Sequence, residues 1–133
     1  MIVLDTTILS RVYRRAVPDS SNEVAVFIQL LEDDEPMVIP SIVLQEVLSG
    51  VKTEAAFERL DQVLSGFPIL FPSREIHVAA ARIRSGCRAH GIAAATVDCL
   101  IAAHAIFIDG ELFTLDDDFA LIAKHSALKL LSM

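Results

Sequence analysis

Carboxylates standing alone beside short apolar runs constrain this chain more than any other feature. Asp5 closes the strand-like run Met1-Ile2-Val3-Leu4, Asp98 opens the apolar run Cys99-Leu100-Ile101-Ala102-Ala103, and Asp116 follows Glu111-Leu112-Phe113-Thr114. Glu46 lies inside a helical pattern that begins after Pro40-Ser41. A carboxylate this close to core segments is costly unless it is paired, hydrogen-bonded or bound to a metal. In an open parallel sheet, residues just past the carboxyl ends of the strands converge on one crevice. The pattern therefore points to an acidic pocket at one rim of a sheet, of a kind that should hold a divalent metal.

The rest of the chain alternates in the same way. Residues 1–5 read as a buried strand, and Thr6 or Thr7 is placed to cap a helix to about Arg15 with Ile8, Leu9 and Val12 on its apolar face. Ser20 with Glu23 reads as a capping box for a helix to about Leu31 that turns Val24, Phe27, Ile28 and Leu31 inward. Met37 to Pro40 is a second strand, and Ser41 caps a helix to Ser49 on which Ile42 and Glu46 share a face. Thr53 starts a helix with Phe57, Leu60, Val63 and Leu64 apolar, stopped by Gly66. Ile69 to Phe71 is a third strand, Arg74 to Ala89 a helix ended by Gly91, and Val97 to Phe107 a helix apolar nearly all round and so deeply buried. Leu112 to Thr114, Asp117 to Lys124 and Leu128 to Leu131 read as strand, short helix and strand. Such alternation predicts an α/β domain, a three-layer α/β/α sandwich around a mostly parallel sheet of four to five strands. With 133 residues, one domain is the natural count.

The hydrophobic share of 53% is high, yet the most apolar stretch, Ala93 to Ile108, is broken by Asp98 and His104. It falls short of the roughly 18–20 uninterrupted residues of a spanning helix, and no signal peptide is visible. The excess predicts a surface covered by another chain, a homodimer or an obligate partner. Cys87 and Cys99 form no metal or redox spacing and read as core residues of a protein of the reducing cytoplasm. His77, His90, His104 and His125 lack metal-ligand spacing and read as helix-surface or helix-end residues. The net charge of −7 argues superficially against nucleic acid, but a cation-loaded acidic cleft is far less negative. Six of the 11 basic residues fall in two clusters, Arg11, Arg14, Arg15 and Arg82, Arg84, Arg88. They are candidates for contacts to an RNA backbone, against the plainer reading of solvated helix faces.

Mg²⁺ and Mn²⁺ take hard oxygen ligands, and two such ions about 3.5–4 Å apart hold an in-line displacement at phosphorus. Crowded carboxylates raise one another's pKa, so a bound cation also keeps them ionised. The set suits phosphodiester hydrolysis without a protein nucleophile. Thr6 and Thr114, each near an acid at a strand end, are placed to orient water or a phosphate oxygen.

Four segments together resemble the ordered signature of PIN domains: Val3-Leu4-Asp5-Thr6-Thr7, Pro40-Ser41 through Glu46 to Gly50, Asp98-Cys99-Leu100-Ile101-Ala102-Ala103-His104-Ala105, and Thr114-Leu115-Asp116-Asp117-Asp118-Phe119. Any one of them is common; all four in order, spanning nearly the whole chain, are not. The closest likeness is to the VapC-type toxins of toxin–antitoxin modules. The resemblance implies an acidic quartet of Asp5, Glu46, Asp98 and Asp116, with Asp5 and Asp98 the main metal ligands and Glu46 binding a second ion or orienting water. Asp118 occupies the other position that is frequently acidic in the family and is assigned a supporting role, capping the last helix; Thr6 matches the usual hydroxyl residue after the first aspartate. It further implies Mg²⁺- or Mn²⁺-dependent cleavage of RNA to a 5′-phosphate and a 3′-hydroxyl, a cognate antitoxin whose C-terminal segment fills the groove, and a toxin homodimer.

Two other classes are weighed. A scaffold that keeps the fold without catalysis would more naturally have lost one of the four acids. Receiver-type or dehalogenase-type phosphoryl transfer resembles patterns missing here, since no Asp-x-Asp follows the first strand and no lysine ends a late one.

Overall fold

A computed structural model describes residues 1–14 and 21–133. The elements run β1 (Ile2–Leu4), α1 (Thr6–Tyr13), α2 (Asn22–Glu32), β2 (Met37–Pro40), α3 (Ser41–Ser49), α4 (Glu54–Leu64), β3 (Ile69–Leu70), α5 (Arg74–Ala89), α6 (Thr96–Phe107), β4 (Glu111–Phe113), α7 (Asp118–Lys124) and β5 (Lys129–Leu130). The five strands form one sheet in the order β3-β2-β1-β4-β5, and every pairing is parallel. The expected α/β architecture is present, with the sheet parallel throughout.

The strand order places β1 at the centre, with β2 on one side and β4 on the other. Ile2 faces both Met37 and Glu111, and Leu4 faces Phe113. All residues of β1 and β2 are buried, as strands covered on both faces must be. The direction of winding reverses between β1 and β4. In sheets of this kind the crevice that binds ligands opens at that switch point, beyond the carboxyl ends of the two strands.

Helix boundaries follow local chemistry, with some departures from expectation. The cap of α1 is Asp5, whose side chain accepts from the Thr7 amide, so neither threonine serves as the cap. Ser20, and with it the expected capping box, lies outside the described residues; Ser21 occupies the N-cap of α2. Pro40 rather than Ser41 precedes α3, and proline's fixed φ suits a helix entrance. Thr53 and Ser73 cap α4 and α5 as their side chains accept from Ala56 and Ile76 amides. The left-handed turn at Gly91, φ +76°, ends α5 through the Ile92 amide donating to the Cys87 carbonyl, a conformation that glycine adopts without steric cost.

Phe27, Phe113, Phe119, Leu4, Ile8 and Ile101 are among the fully buried side chains of the core. Tyr13 meets Phe27 edge to face at 5.8 Å, which docks α2 on α1. Ile28 and Leu31, expected inside, are exposed, as are Phe57 and Val63 on α4. The helical period sets which residues share a face; it does not say how much of that face a neighbour covers. His104 departs the other way. It is 1% exposed within α6, because a helix enclosed on all sides buries whatever stands at its centre. Burial, then the nearby His77, lower the pKa of its imidazole. The remaining histidines lie where expected. His77 is exposed on α5, while His90 and His125 sit at the C-caps of α5 and α7 with their rings stacked at 4.2 Å. Cys87 and Cys99 are free and buried. No helix among the described residues is long and apolar enough to cross a membrane.

Candidate active site at the carboxyl ends of β1 and β4

The walls of the crevice are joined first by the backbone: the Asp5 amide, just past β1, donates to the Phe113 carbonyl at the end of β4. Side chains continue the seam. Asp5 is 3% exposed, and its Oδ2 accepts from Thr7 Oγ1 at 2.8 Å and Thr114 Oγ1 at 2.7 Å. Thr7 Oγ1 in turn accepts from the Leu115 amide at 2.9 Å, and Thr114 Oγ1 accepts from the Asp116 amide at 3.0 Å. A buried carboxylate is tolerated when donors satisfy it, and these two hydroxyls do so while fixing its orientation. Each hydroxyl also binds a backbone amide of the loop after β4, so that loop is held against α1.

Thr6 points to a different acid. Its hydroxyl donates to Glu46 Oε1 at 2.8 Å, tying the start of α1 to the middle of α3. Glu46 is exposed, so this bond orients a carboxylate that would otherwise sample several rotamers.

Asp98, in the first turn of α6, gathers the set. One oxygen each of Asp98, Asp116 and Asp118 lie within 4.8 Å of one another. The pKa of Asp98 is pushed up to about 6, first by burial and then by the negative fields of Asp116, Asp5, Asp118 and Glu46. These four acids are therefore close enough to act on the Asp98 carboxyl group. Asp118 is no helix cap: that position belongs to Asp117, and Asp118 donates its amide to Asp116 Oδ1 at 2.9 Å. The turn holds both side chains beside Asp98. Such an all-oxygen cluster has the donor chemistry that a hard divalent ion requires.

The sequence-predicted acids thus converge, with a division among them. Asp98, Asp116 and Asp118 form the tight group, while Asp5 and Glu46 stand around it with oxygens already engaged by threonines. Thr7, read from sequence only as a possible cap, carries as much of the Asp5 network as Thr114. The signal for it was the repeated hydroxyl after Asp5.

The arginines separate. Arg11 and Arg14 line a groove of about 1060 Å³ with Thr6 and Thr7, and the groove also bears Lys52 and Arg59, which sequence reasoning did not single out. Arg15 lies outside the described residues. Arg84 donates to the Ala94 carbonyl at 3.1 Å and borders a small hollow with Arg88, whereas Arg82 sits in another hollow beside Phe107 and His125.

Comparison with known proteins agrees with this geometry. Residues 2–125 match the PIN domain family model. A chain of the FitAcB structure from Neisseria gonorrhoeae is 25% identical, with a TM-score of 0.77 over 99% of this chain and 97% of that one. A chain of VapBC2 from Rickettsia felis, bound to a DNA fragment from its promoter, is 25% identical with a TM-score of 0.77 over 98% of both. A toxin–antitoxin complex from Klebsiella pneumoniae contains a chain 27% identical, with a TM-score of 0.71 over 90% of this chain and 91% of that one. No curated protein matches significantly in sequence. With fold, acidic crevice and family model in agreement over nearly its full length, the chain belongs to the PIN-domain family.

Proposed function

We propose that this protein is a Mg²⁺- or Mn²⁺-dependent endoribonuclease and the toxin of a toxin–antitoxin pair. The observation that carries the reading is the convergence of Asp98, Asp116 and Asp118 within 4.8 Å at the β1/β4 crevice, in a chain similar to members of toxin–antitoxin complexes. Asp98, Asp116 and Asp118 would hold the ion, with Asp5 beside them as the remaining ligand. A bound divalent cation supplies Lewis-acid activation of water and charge neutralisation at phosphorus.

The chain's own residues do the rest. Thr7 and Thr114 hold the Asp5 carboxylate in one rotamer, so no reorganisation is needed when substrate arrives. Thr6 fixes Glu46, whose exposed carboxylate would orient the attacking water and accept its proton. Candidate contacts to the RNA backbone are Arg11, Arg14, Arg15, Arg82, Arg84 and Arg88. The cognate antitoxin is the second partner. A homodimer is the third, supported by exposed apolar residues such as Phe71 and Phe107, which another chain would cover. The reducing cytoplasm suits the two free cysteines.

The test is cleavage of single-stranded RNA by purified protein with Mn²⁺, Mg²⁺ or EDTA, beside Asp98→Asn. Metal-dependent products with 5′-phosphates, absent from a folded Asp98→Asn protein, are expected. Equal cleavage by both proteins would overturn the site assignment, and none by the wild type with either ion would overturn the reaction.

A further inference from the structure

We propose that the groove carrying Arg11, Arg14, Lys52 and Arg59 is the track along which the phosphate backbone of a single-stranded RNA runs to the acidic crevice, an assignment that rests on the nuclease reading above. The chain has 18 acidic and 11 basic residues, yet among the described residues the lining of this groove includes four basic residues and no acidic one. Such a reversal of sign concentrates positive potential in a concave, low-dielectric setting, where it acts most strongly on a polyanion.

The cations come from three separate parts of the chain. Arg11 and Arg14 stand on and just after α1, Lys52 in the loop after α3, and Arg59 on α4. Arg14 is fixed in place, donating to Ser10 Oγ at 3.1 Å and to the Gly50 carbonyl at 3.0 Å. Lys52 and Arg59 have no acidic partner within ion-pair distance among the described residues. Their charge is therefore available to a ligand.

Direction favours a nucleic acid over an acidic peptide. Thr6 and Thr7 belong to the lining of the groove and are bonded to Glu46 and Asp5, so the groove adjoins the acidic crevice. A peptide bearing carboxylates would have no reacting bond to present there. A phosphodiester chain laid on the cations instead delivers a scissile bond to it. Tyr13 and apolar side chains share the lining with the cations, offering unpaired bases a surface on which to lie. A duplex would keep its bases stacked within itself.

The experiment measures binding of a short, unstructured, fluorescently labelled RNA by anisotropy in EDTA, over a range of KCl concentrations. Lys52→Gln/Arg59→Gln is compared with wild type and with Lys124→Gln on α7, outside the groove; melting curves establish that each is folded. If the double variant melts early, the single variants are used. For single strands, log affinity against log salt loses a slope of about 0.7 per phosphate contact. The double variant should lose about 1.4 in slope, with affinity on the order of tenfold weaker at low salt, while Lys124→Gln follows wild type.

An unchanged slope overturns the track, as does tighter binding of a duplex than of the single strand. So does a variant that binds RNA normally but fails to bind a co-expressed antitoxin, which would make the groove a protein site. Failure of the nuclease reading looks different: the wild type would then bind RNA with the predicted slope yet leave it intact with Mn²⁺ and Mg²⁺.

Discussion

Thr6 and Glu46, 40 positions apart, are joined by a 2.8 Å hydrogen bond from the threonine hydroxyl to the carboxylate. The bond links the first helix to the third across the mouth of the crevice, and it costs Glu46 its rotational freedom before any ligand arrives. Thr6→Val keeps the shape and removes the donor. Groups that orient metal-site ligands typically contribute about 10–100-fold. RNA cleavage by the variant should fall by about that factor, with stability changed by less than about 1 kcal/mol. Rates and melting temperatures, measured together, check both halves.

The raised pKa of Asp98 makes the metal-free protein sensitive to pH in a definite direction. Its folded value, about 6, lies above the ordinary 3.8, so the folded state holds the proton more tightly. This contribution to stability is complete below pH 4 and lost as pH rises through 6. After discounting for partial solvent screening, the loss is about 1–2 kcal/mol. In EDTA, Asp98→Asn should melt above the wild type at pH 7 and near it at pH 4. Adding Mn²⁺ at pH 7 should raise the wild-type melting temperature and leave the variant's unmoved.

Asp116 and Asp118 are expected to matter alike, since both stand beside Asp98. Asp116→Asn and Asp118→Asn should each weaken the Mn²⁺-induced thermal shift. Asp116→Asn retains an oxygen for the Asp118 amide, so the turn before α7 survives. A full shift in either variant, read by differential scanning fluorimetry, would remove that residue from the ligand set.

His104 contributes with the opposite sign. Its Nε2 is buried without a hydrogen-bond partner among the described residues, and its pKa lies below 6.5. The neutral ring's stability contribution is present above pH 6.5 and lost as pH falls through the folded value. His104→Leu should stabilise the protein at pH 7 by up to about 1–2 kcal/mol, by removing an unpaired polar atom. It should also lose less stability than wild type between pH 7 and pH 5, measured by urea unfolding.

Gly110 is set by close approach of backbone. A Cβ placed there would stand 2.8 Å from the Met1 carbonyl oxygen, and that carbonyl accepts from the Glu111 amide to align β4 with β1. Gly110→Ala should therefore cost about 1–3 kcal/mol, visible as a lowered melting temperature.

Much of this was legible because strand ends announce themselves. Asp5, Asp98 and Asp116 follow or precede apolar runs, and the parallel sheet carries them to one rim. What stayed hidden depended on distance between elements. Nothing local to Lys52 or Arg59 shows that they face Arg11 across a groove, nor does the period of α2 reveal that Ile28 and Leu31 lack a covering neighbour. The burial of His104 is hidden in the same way, since a helix enclosed on every side gives a polar residue no outward face. The choice between Asp116 and Asp118 could not be made from spacing, because the turn that sets both beside Asp98 lies in the backbone.

The central position of β1 carries a consequence for how this protein comes into being. β1 precedes every other element in chain order, but the neighbour that supplies Thr114 and Asp116 follows much later, and Asp5 reaches Thr114 across 109 residues. A chain still on the ribosome and halted before β4 has no crevice, whatever its earlier segments have done. The acidic crevice is thus closed only late, when the newest strand meets the oldest.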